Sequence, residues 1–412
     1  MITNERLVIV DGVRTPFCKA GTELAGLAAD ELGRIAVSAL LTRTGLDPGL
    51  IDEVIFGCVS QPVEAANVAR VIALRSGIPD SVPAATVHRN CASGFEAFTT
   101  AYERMAAGRG SIYIVGGTES MSHVPMFFQD ETARKFTDLA KSKTATQKLA
   151  ALTGFRPGDF APRVGLRLGL TDPVSGLNMG ETAELLARED GISREEQDAF
   201  ALLSHEHARA AEARLAEEIC PVYVDGRAVL HDNGPRADQS MAVLGNLRPV
   251  FEKYGTVTAG NSSQITDGAV AMLLMTEGRA RDLRLPPIGA LTAYAYAGCD
   301  PARMGLGPVA AIERMGRWSK LTLADADLVE INEAFAAQVL AVRRRLRPEI
   351  PREKLNVNGG AIALGHPVGA TGARLILTSL KELARRQAKR ALVSLCVGGG
   401  QGGAIWLERI QP

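Results

Sequence analysis

Cys91, His366 and Cys396 are the residues whose types and surroundings could do chemistry. Cys91 follows the strand-like run Ala84 to His88 and precedes a helical pattern, so its thiol falls at a strand-to-helix junction. Backbone N–H groups and the helix dipole at such a junction favour the thiolate, the reactive form of cysteine. Ala92, Ser93 and Gly94 are small and let a substrate approach closely. Placement alone leaves a buried, inert cysteine equally open, and a neighbouring base is what would decide. His366 lies in N-V-N-G-G-A-I-A-L-G-H-P-V-G-A-T-G-A-R, where glycines at 359, 360, 365, 369 and 372 allow tight turns around one imidazole before a helix begins. Such a histidine is an acid/base candidate, although single histidines more often serve in packing or on the surface. Cys396 ends a strand and meets the run Gly398-Gly399-Gly400-Gln401-Gly402-Gly403, whose unpaired amides can bind an oxyanion.

Two rival motifs fail on context. The glycine run satisfies G-x-G-x-x-G at 398, 400 and 403, yet Ala404 to Leu407 continues as a strand where a phosphate-binding helix should open. No G-x-x-x-x-G-K-[ST] loop occurs. His205 and His207 are two apart on a predicted helix and point to different faces, so no metal site is expected.

The elements that must position these residues read as α/β. Short Val- and Ile-rich runs (Leu7 to Val10, Val54 to Phe56, Ala85 to Val87, Ile112 to Val115) alternate with helical patterns such as Leu32, Ile35, Ala36, Ala39 and Leu40. The texture returns in Ala269 to Met275, Ile288 to Tyr294, Leu328 to Ile331, Ala391 to Cys396 and Ala404 to Leu407. Each half carries a polar loop, a helix, a strand and a glycine cluster in the same order: NCASG, Phe95 to Ala107, SIYIV, Gly116-Gly117, then GHPVGATG, Ala373 to Arg386, ALVSLCV, Gly398 to Gly400. The expected organisation is a duplicated α/β chain with an N-terminal half over 1–120 plus about 256–278, an inserted, largely helical loop lobe over 121–255, and a C-terminal half over 279–412. Within the lobe, Ser193 and Glu196 form a capping-box pattern before a helix running toward Glu218. Arg134 to Phe155 reads as an amphipathic basic segment, either a solvated helix packed on the body or a surface for a partner or membrane.

Composition narrows the class. With 46 Lys plus Arg against 46 Asp plus Glu the chain has no global field for nucleic acid, so an anionic ligand must be held by local groups. Six cysteines without CxxC pairs point to reduced thiols and a cytoplasmic setting. With a strand expected to start at Leu7 no signal peptide is expected, no run approaches the roughly 20 apolar residues of a membrane span, and Ile410-Gln411-Pro412 is not expected to be a peroxisomal or lipidation signal.

Three separated segments, NCASG, GHPVGATG and CVGGGQGG, together resemble the thiolase family over essentially the whole chain. V-D-G-V-R-T-P-F at 10–17, V-G-G-T-E-S-M-S at 115–122, Y-G-T-V-T-A-G-N-S-S at 254–263, M-G-L-G-P at 304–308 and N-E-A-F-A at 332–336 extend the match. The resemblance implies two αβαβα halves with a loop lobe over the active site, assembled as dimers or tetramers. It implies Cys91 as the nucleophile that takes the acyl group, His366 as its base, and Cys396 as a second acid/base. His366 would line one oxyanion hole with a water held by Asn332, and the amides of Cys91 and Gly398 would form another. Met179, Ser263, Met304, Ala334 and Phe335 would surround the pantetheine arm of coenzyme A, which is a substrate, with no tightly bound cofactor. Asn178 stands where many members have histidine, and Phe95 is bulkier than the usual residue and is expected to narrow or reshape the neighbouring pocket. Residues 130–165 resemble the longer lobe of fatty-acid β-oxidation thiolases that work with a hydratase/dehydrogenase partner, whereas N-E-A-F is common outside those complexes. The implied reaction is CoA-dependent cleavage of a 3-ketoacyl-CoA or its reverse. A decarboxylating ketoacyl-synthase-like condensing enzyme and a non-catalytic acyl-CoA or lipid-binding subunit are the alternatives.

Overall fold

The Val- and Ile-rich runs form one ten-stranded sheet in a computed structural model that describes residues 5–410. From edge to edge its strands are Leu328–Ile331, Arg390–Val397, Gln401–Arg409, Gly289–Gly298, Leu7–Arg14, Thr266–Thr276, Ile112–Glu119, Glu53–Gly57 and Ala84–Val87, with Cys18–Lys19 pairing beside Thr266–Thr276. The duplication is visible in this order. Leu7–Arg14 and Gly289–Gly298 pair antiparallel at the centre, Val8 opposite Ala290. Outward from that seam each half places its first strand, its last, its penultimate and its second. The two outer pairings are parallel in one half and the matching one is parallel in the other. Where the first half ends on Ala84–Val87, the second has a single parallel bridge, Val329 to Leu355.

Side chains alternate across the strands, as a pleat of period two requires. Ile9, Val115, Val393 and Ile405 face one core, which also holds the helices Ser93–Ala106 and Thr371–Arg386 through Phe95, Phe98, Ala373 and Leu377. Val8, Val10, Phe56 and Ile114 face the opposite side and pack on Ala29–Thr44 and Val68–Arg75. Leu392, Ala404 and Trp406 do the same in the second half, against Gly307–Ser319 and Ala336–Arg345. Full burial of Phe95 or Phe98 is worth roughly 1.5–3 kcal/mol each, so the shared inner layer is also the stable one.

The two inner helices meet backbone to backbone. A Cβ on Gly94 would stand 2.7 Å from the Ala373 nitrogen and 3.1 Å from the Gly369 oxygen, and one on Gly372 would stand 2.7 Å from the Phe95 nitrogen. Glycine at both positions brings the two helix starts, and the loops that feed them, into one place. Phe95 is fully buried in the inner core beside Gly372 and Gly403. Its bulk is taken up there, which corrects the expectation that it narrows a substrate pocket.

The chain divides into two compact units, one running up to His123 and resuming at Asp172, the other Val124–Thr171. Residues 172–255 therefore group with the sheet-bearing unit, where Ser193 and Glu196 cap the helix Arg194–Ala210 reciprocally (Glu196 N to Ser193 Oγ 3.2 Å, Ser193 N to Glu196 Oε2 2.8 Å). That helix stops at Ala210, and a short one, Glu212–Ala216, follows. In the smaller unit the basic segment is two helices, Asp130–Lys141 and Ala145–Thr153, because Thr144 and Gln147 start a new capping box. Phe128, Phe136, Phe155 and Phe160 form its aromatic cluster, with Lys135 paired to Asp159 at 2.8 Å. Among the described residues no helix is long and apolar enough to cross a membrane. Gln411 and Pro412 lie outside the described residues.

Candidate active site

Cys91 sits between the edge strand Ala84–Val87 and the helix Ser93–Ala106. Asn90 makes the turn at φ 43°, a left-handed conformation that asparagine tolerates. Ser93 locks it, its hydroxyl donating to Asn90 O at 2.7 Å and accepting from Arg89 N at 2.9 Å. The thiol of Cys91, in a half-buried residue, is nonetheless not a resting thiolate. Burial pushes it above its ordinary value, the Glu119 carboxylate adds to this, and the amides of Gly398 and Cys91 only partly offset it. The helix start alone does not activate this cysteine; it needs a base.

His366 is buried and follows Gly365, which adopts φ 100°. The histidine N–H lies 3.1 Å from Thr266 Oγ1 and 3.2 Å from Gln264 O. Its Nδ1 is 2.7 Å from Thr371 Oγ1, and that hydroxyl donates its own proton to Pro367 O at 2.9 Å. Thr371 therefore accepts from Nδ1–H, which leaves the lone pair on Nε2. Nε2 faces the Asn332 amide nitrogen at 3.5 Å. Burial, with help from Arg374, pushes the imidazole down to about 4, so it is neutral and able to accept a proton near pH 7. Asn332 is itself fully buried, held by its N–H to Ser394 O at 3.0 Å, and its side-chain oxygen has no partner.

Cys396 ends the strand Arg390–Val397, and burial and then Cys91 hold its thiol well above the ordinary range, so it carries its proton. Gly399 and Gly400, at φ 87° and 78°, turn the chain back into Gln401–Arg409. Asn90 Nδ2 donates to Gly398 O at 2.7 Å and fixes that turn against the Cys91 loop. Met179, Met304, Ala334 and Phe335 share one apolar cluster with Cys396. The Met179 sulfur would lie 3.6 Å from a Cβ on Gly398, and Ser263 joins through its N–H to Ala334 O at 2.9 Å. The structure thus joins Cys91 to Gly398 and Cys396, Cys396 to the cluster of Met179, Met304, Ala334 and Phe335, and His366 to Asn332. Asn178, by contrast, caps the helix Met179–Glu189 through Gly180 N at 3.0 Å.

Sequence reasoning missed four residues here. Thr371 sets the His366 tautomer, and Asn90 braces Gly398. Phe251 stacks edge-on to Phe335 with centroids 6.0 Å apart. Glu119, buried and pushed up to about 7 by that burial, accepts from the amides of Val59 (3.1 Å), Ser60 (2.8 Å) and Gly369 (2.9 Å), tying the His366 loop to the sheet. Thr371 and Glu119 lie inside quoted motifs, where their polarity next to glycines was the available signal.

A proton-bearing thiol nucleophile, a neutral imidazole acceptor, a second protonated thiol and free amides can split or form a carbon-carbon bond beside a thioester. Residues 7–278 match the family model described as Thiolase, N-terminal domain, and residues 285–409 that described as Thiolase, C-terminal domain. The chain belongs to the thiolase family. It is 41% identical to the acetyl-CoA acetyltransferase of Allochromatium vinosum, covering 99% of this chain and 100% of that protein. It is 42% identical to the acetyl-CoA acetyltransferase of Pseudomonas aeruginosa (98% and 99% covered). Human mitochondrial 3-ketoacyl-CoA thiolase, solved in complex with CoA, superposes with a TM-score of 0.89 at 36% identity, covering 100% of this chain and 99% of that one. The thiolase assignment makes this chain an acyltransferase and removes the ketoacyl-synthase-like alternative.

Proposed function

We propose that this thiolase cleaves 3-ketoacyl-CoA with CoA, giving acetyl-CoA and a shortened acyl-CoA, through an acyl-Cys91 intermediate. His366 Nε2 takes the Cys91 proton as the sulfur attacks the C3 carbonyl. The tetrahedral oxyanion is held by the amides of Cys91 and Gly398. Its collapse breaks the C2–C3 bond, and Cys396 gives its proton to the departing enolate, whose oxygen rests on His366 and a water held by Asn332. CoA, losing its thiol proton to the Cys396 thiolate, then attacks the acyl-Cys91 thioester, and proton return from His366 to Cys91 restores the site. Met179, Ser263, Met304, Ala334 and Phe335 line the pantetheine path. No metal or redox cofactor enters, because two thiols and one imidazole supply nucleophile, base and acid.

The observation that carries this reading is the Thr371–His366–Asn332 chain, which leaves Nε2 without a proton and facing the Asn332 amide at 3.5 Å. The long lobe resemblance favours degradative fatty-acid β-oxidation in the cytoplasm, with a hydratase/dehydrogenase as the candidate partner. A homo-oligomer, dimer or tetramer, is supported by the half-buried edge strand Ala84–Val87, which among the described residues has no strand on its outer side. The test is a chain-length series of 3-ketoacyl-CoA substrates with saturating CoA, followed by loss of magnesium-enolate absorbance. Cleavage with acetyl-CoA as a product is expected, and no absorbance loss at any chain length would refute it.

A further inference from the structure

Asn332 and His366 face each other across 3.5 Å, but they are not held alike. His366 has its own anchors, its N–H on Thr266 and Gln264 and its Nδ1 on Thr371. Among the described residues the Asn332 side-chain nitrogen has His366 alone, and its oxygen has no partner. The place of that side chain is therefore set through the residues on either side. Ile331, before it, is gripped by Asn356 on both backbone groups, Ile331 N donating to Oδ1 and Nδ2 donating to Ile331 O at 2.9 Å each. Glu333, after it, turns a buried carboxylate toward the loop that leads to His366. One carboxylate oxygen accepts from Asn356 Nδ2 at 2.8 Å, and the other accepts from Ser204 Oγ at 2.6 Å and Ile362 N at 3.2 Å. Ser204, on the helix Arg194–Ala210, in turn accepts from Gly360 N at 3.1 Å. A Cβ on Gly360 would stand 2.1 Å from the Glu333 carboxyl carbon, so glycine there lets the loop come this close. All three partners of Glu333 donate, which a carboxylate with two acceptor oxygens satisfies and an amide with one does not.

We propose that Glu333 is a positioning residue for carbon–carbon cleavage, its carboxylate clamping the turn at 331–333 onto the loop at 356–362 so that Asn332 stays within reach of His366. The inference rests on the proposed function, in which Asn332 holds the water beside the enolate oxygen. On that scheme Glu333 touches no reacting atom and acts through Asn332. Acyl exchange between acetyl-CoA and CoA through Cys91 breaks one thioester as it forms another and makes no enolate. It uses the two thiols, His366 and the amides of Cys91 and Gly398, and leaves Asn332 idle. The two reactions therefore separate a displaced Asn332 from a general loss of folded enzyme.

The experiment measures two rates in wild type, E333Q, N332A, the E333Q/N332A double variant and G360A: acetoacetyl-CoA thiolysis by magnesium-enolate absorbance, and exchange of isotopically labelled CoA into acetyl-CoA. A misplacement of about 1 Å can cost roughly 100-fold in rate and half of it about tenfold, so E333Q should lower the thiolysis kcat about tenfold, with KM for CoA and the exchange rate within about twofold of wild type. N332A should lower the same kcat, and E333Q should add little in the double variant, because residues that act through one group are not additive. Thiolysis by E333Q within about twofold of wild type, equal losses of thiolysis and exchange, or a full further loss in the double variant overturns the proposal and leaves the cleavage reading standing. Should E333Q fail to fold, G360A decides: its backbone is extended, at φ −140°, and its added Cβ must push the Glu333 carboxylate aside. Thiolysis falling further than exchange in G360A supports the proposal, and parallel or unchanged rates overturn it. A wild type that exchanges CoA yet cleaves no 3-ketoacyl-CoA overturns the proposed function, and this inference with it.

Discussion

Thr371→Val isolates the tautomer on which the proposed mechanism turns. Valine keeps the shape of threonine and removes the oxygen that accepts from His366 Nδ1–H at 2.7 Å and donates to Pro367 O at 2.9 Å. The imidazole is buried, so an Nδ1–H without a partner costs about 1–3 kcal/mol. That penalty falls on the tautomer with a lone pair on Nε2 and favours the one with a proton there, which cannot accept from Cys91. Converted at about 1.4 kcal/mol per factor of ten, the active population and kcat/KM for thiolysis fall roughly 5- to 150-fold. The loss should lie in kcat, with KM for CoA nearly unchanged, because Thr371 is 0% exposed and reaches the substrate only through His366. Acetoacetyl-CoA thiolysis, read by magnesium-enolate absorbance, measures the loss, and Thr371→Ser, which restores the hydroxyl, should recover most of it. A folded T371V enzyme with kcat/KM within about twofold of wild type would refute the argument.

Three further outcomes can be checked separately. Cys396→Ser should lose turnover while Cys91 still takes up some acyl group, more slowly, since protonation of the enolate and activation of CoA are lost and the nucleophile is not; mass spectrometry after mixing with substrate should find the label on Cys91, and label on another cysteine would contradict the scheme. Gly94→Ala should lower the thermal midpoint by a few degrees and depress kcat, because its Cβ meets backbone at 2.7 Å and overpacking costs about 1–3 kcal/mol; unchanged midpoint and activity would show that the helix starts can separate freely. Glu119 is held above its ordinary 4.5, up to about 7. Its folded-state proton is thus bound more tightly than its unfolded one, so its stabilising contribution is complete below about pH 4.5 and lost as pH rises to about 7, on the order of 3 kcal/mol in all. The thermal midpoint of Glu119→Gln minus that of wild type should therefore rise across this window in a fluorimetric scan, and a pH-independent difference would count against the burial argument.

What the sequence made legible was local in character or repeated. Leu7 to Val10 and Ile112 to Val115 read as strands because four apolar residues in a row suit a strand covered on both faces, and both lie in strands so covered. The duplication was legible as an order of loop, helix, strand and glycines, and the sheet repeats it on either side of the Leu7–Arg14 and Gly289–Gly298 seam. Asn178 and Ser193 follow capping rules that involve only their own helices. The errors came where a distant partner decides the outcome. A thiolate at Cys91 follows from its helix start, but the burial imposed by the rest of the fold weighs more. Phe95 looked like a pocket wall because nothing local shows Gly372 and Gly403 opening a slot for it in the core. Thr371 lies five residues from His366 and could have been found, yet only the turn through Pro367 folds it back onto Nδ1.

The duplicated topology gives these long-range effects a common origin. Cys91 and His366 precede corresponding helices of the two halves, Ser93–Ala106 and Thr371–Arg386, and the glycines near each helix start let the two backbones touch. On the proposed mechanism, a nucleophile from one half and its base from the other would then share a region that neither half could build alone. Burying that region raises both thiols and lowers the imidazole, which sets three protonation states with one physical cause. Because every one of those shifts comes from desolvation first, opening the contact between the helices should relax them together. Gly372→Ala, whose Cβ would press on the Phe95 nitrogen at 2.7 Å, should therefore slow thiolysis and at the same time bring the alkylation profile of Cys91 closer to that of an ordinary exposed thiol. Slower thiolysis with an unchanged alkylation profile would mean that the helix contact positions the groups without setting their protonation.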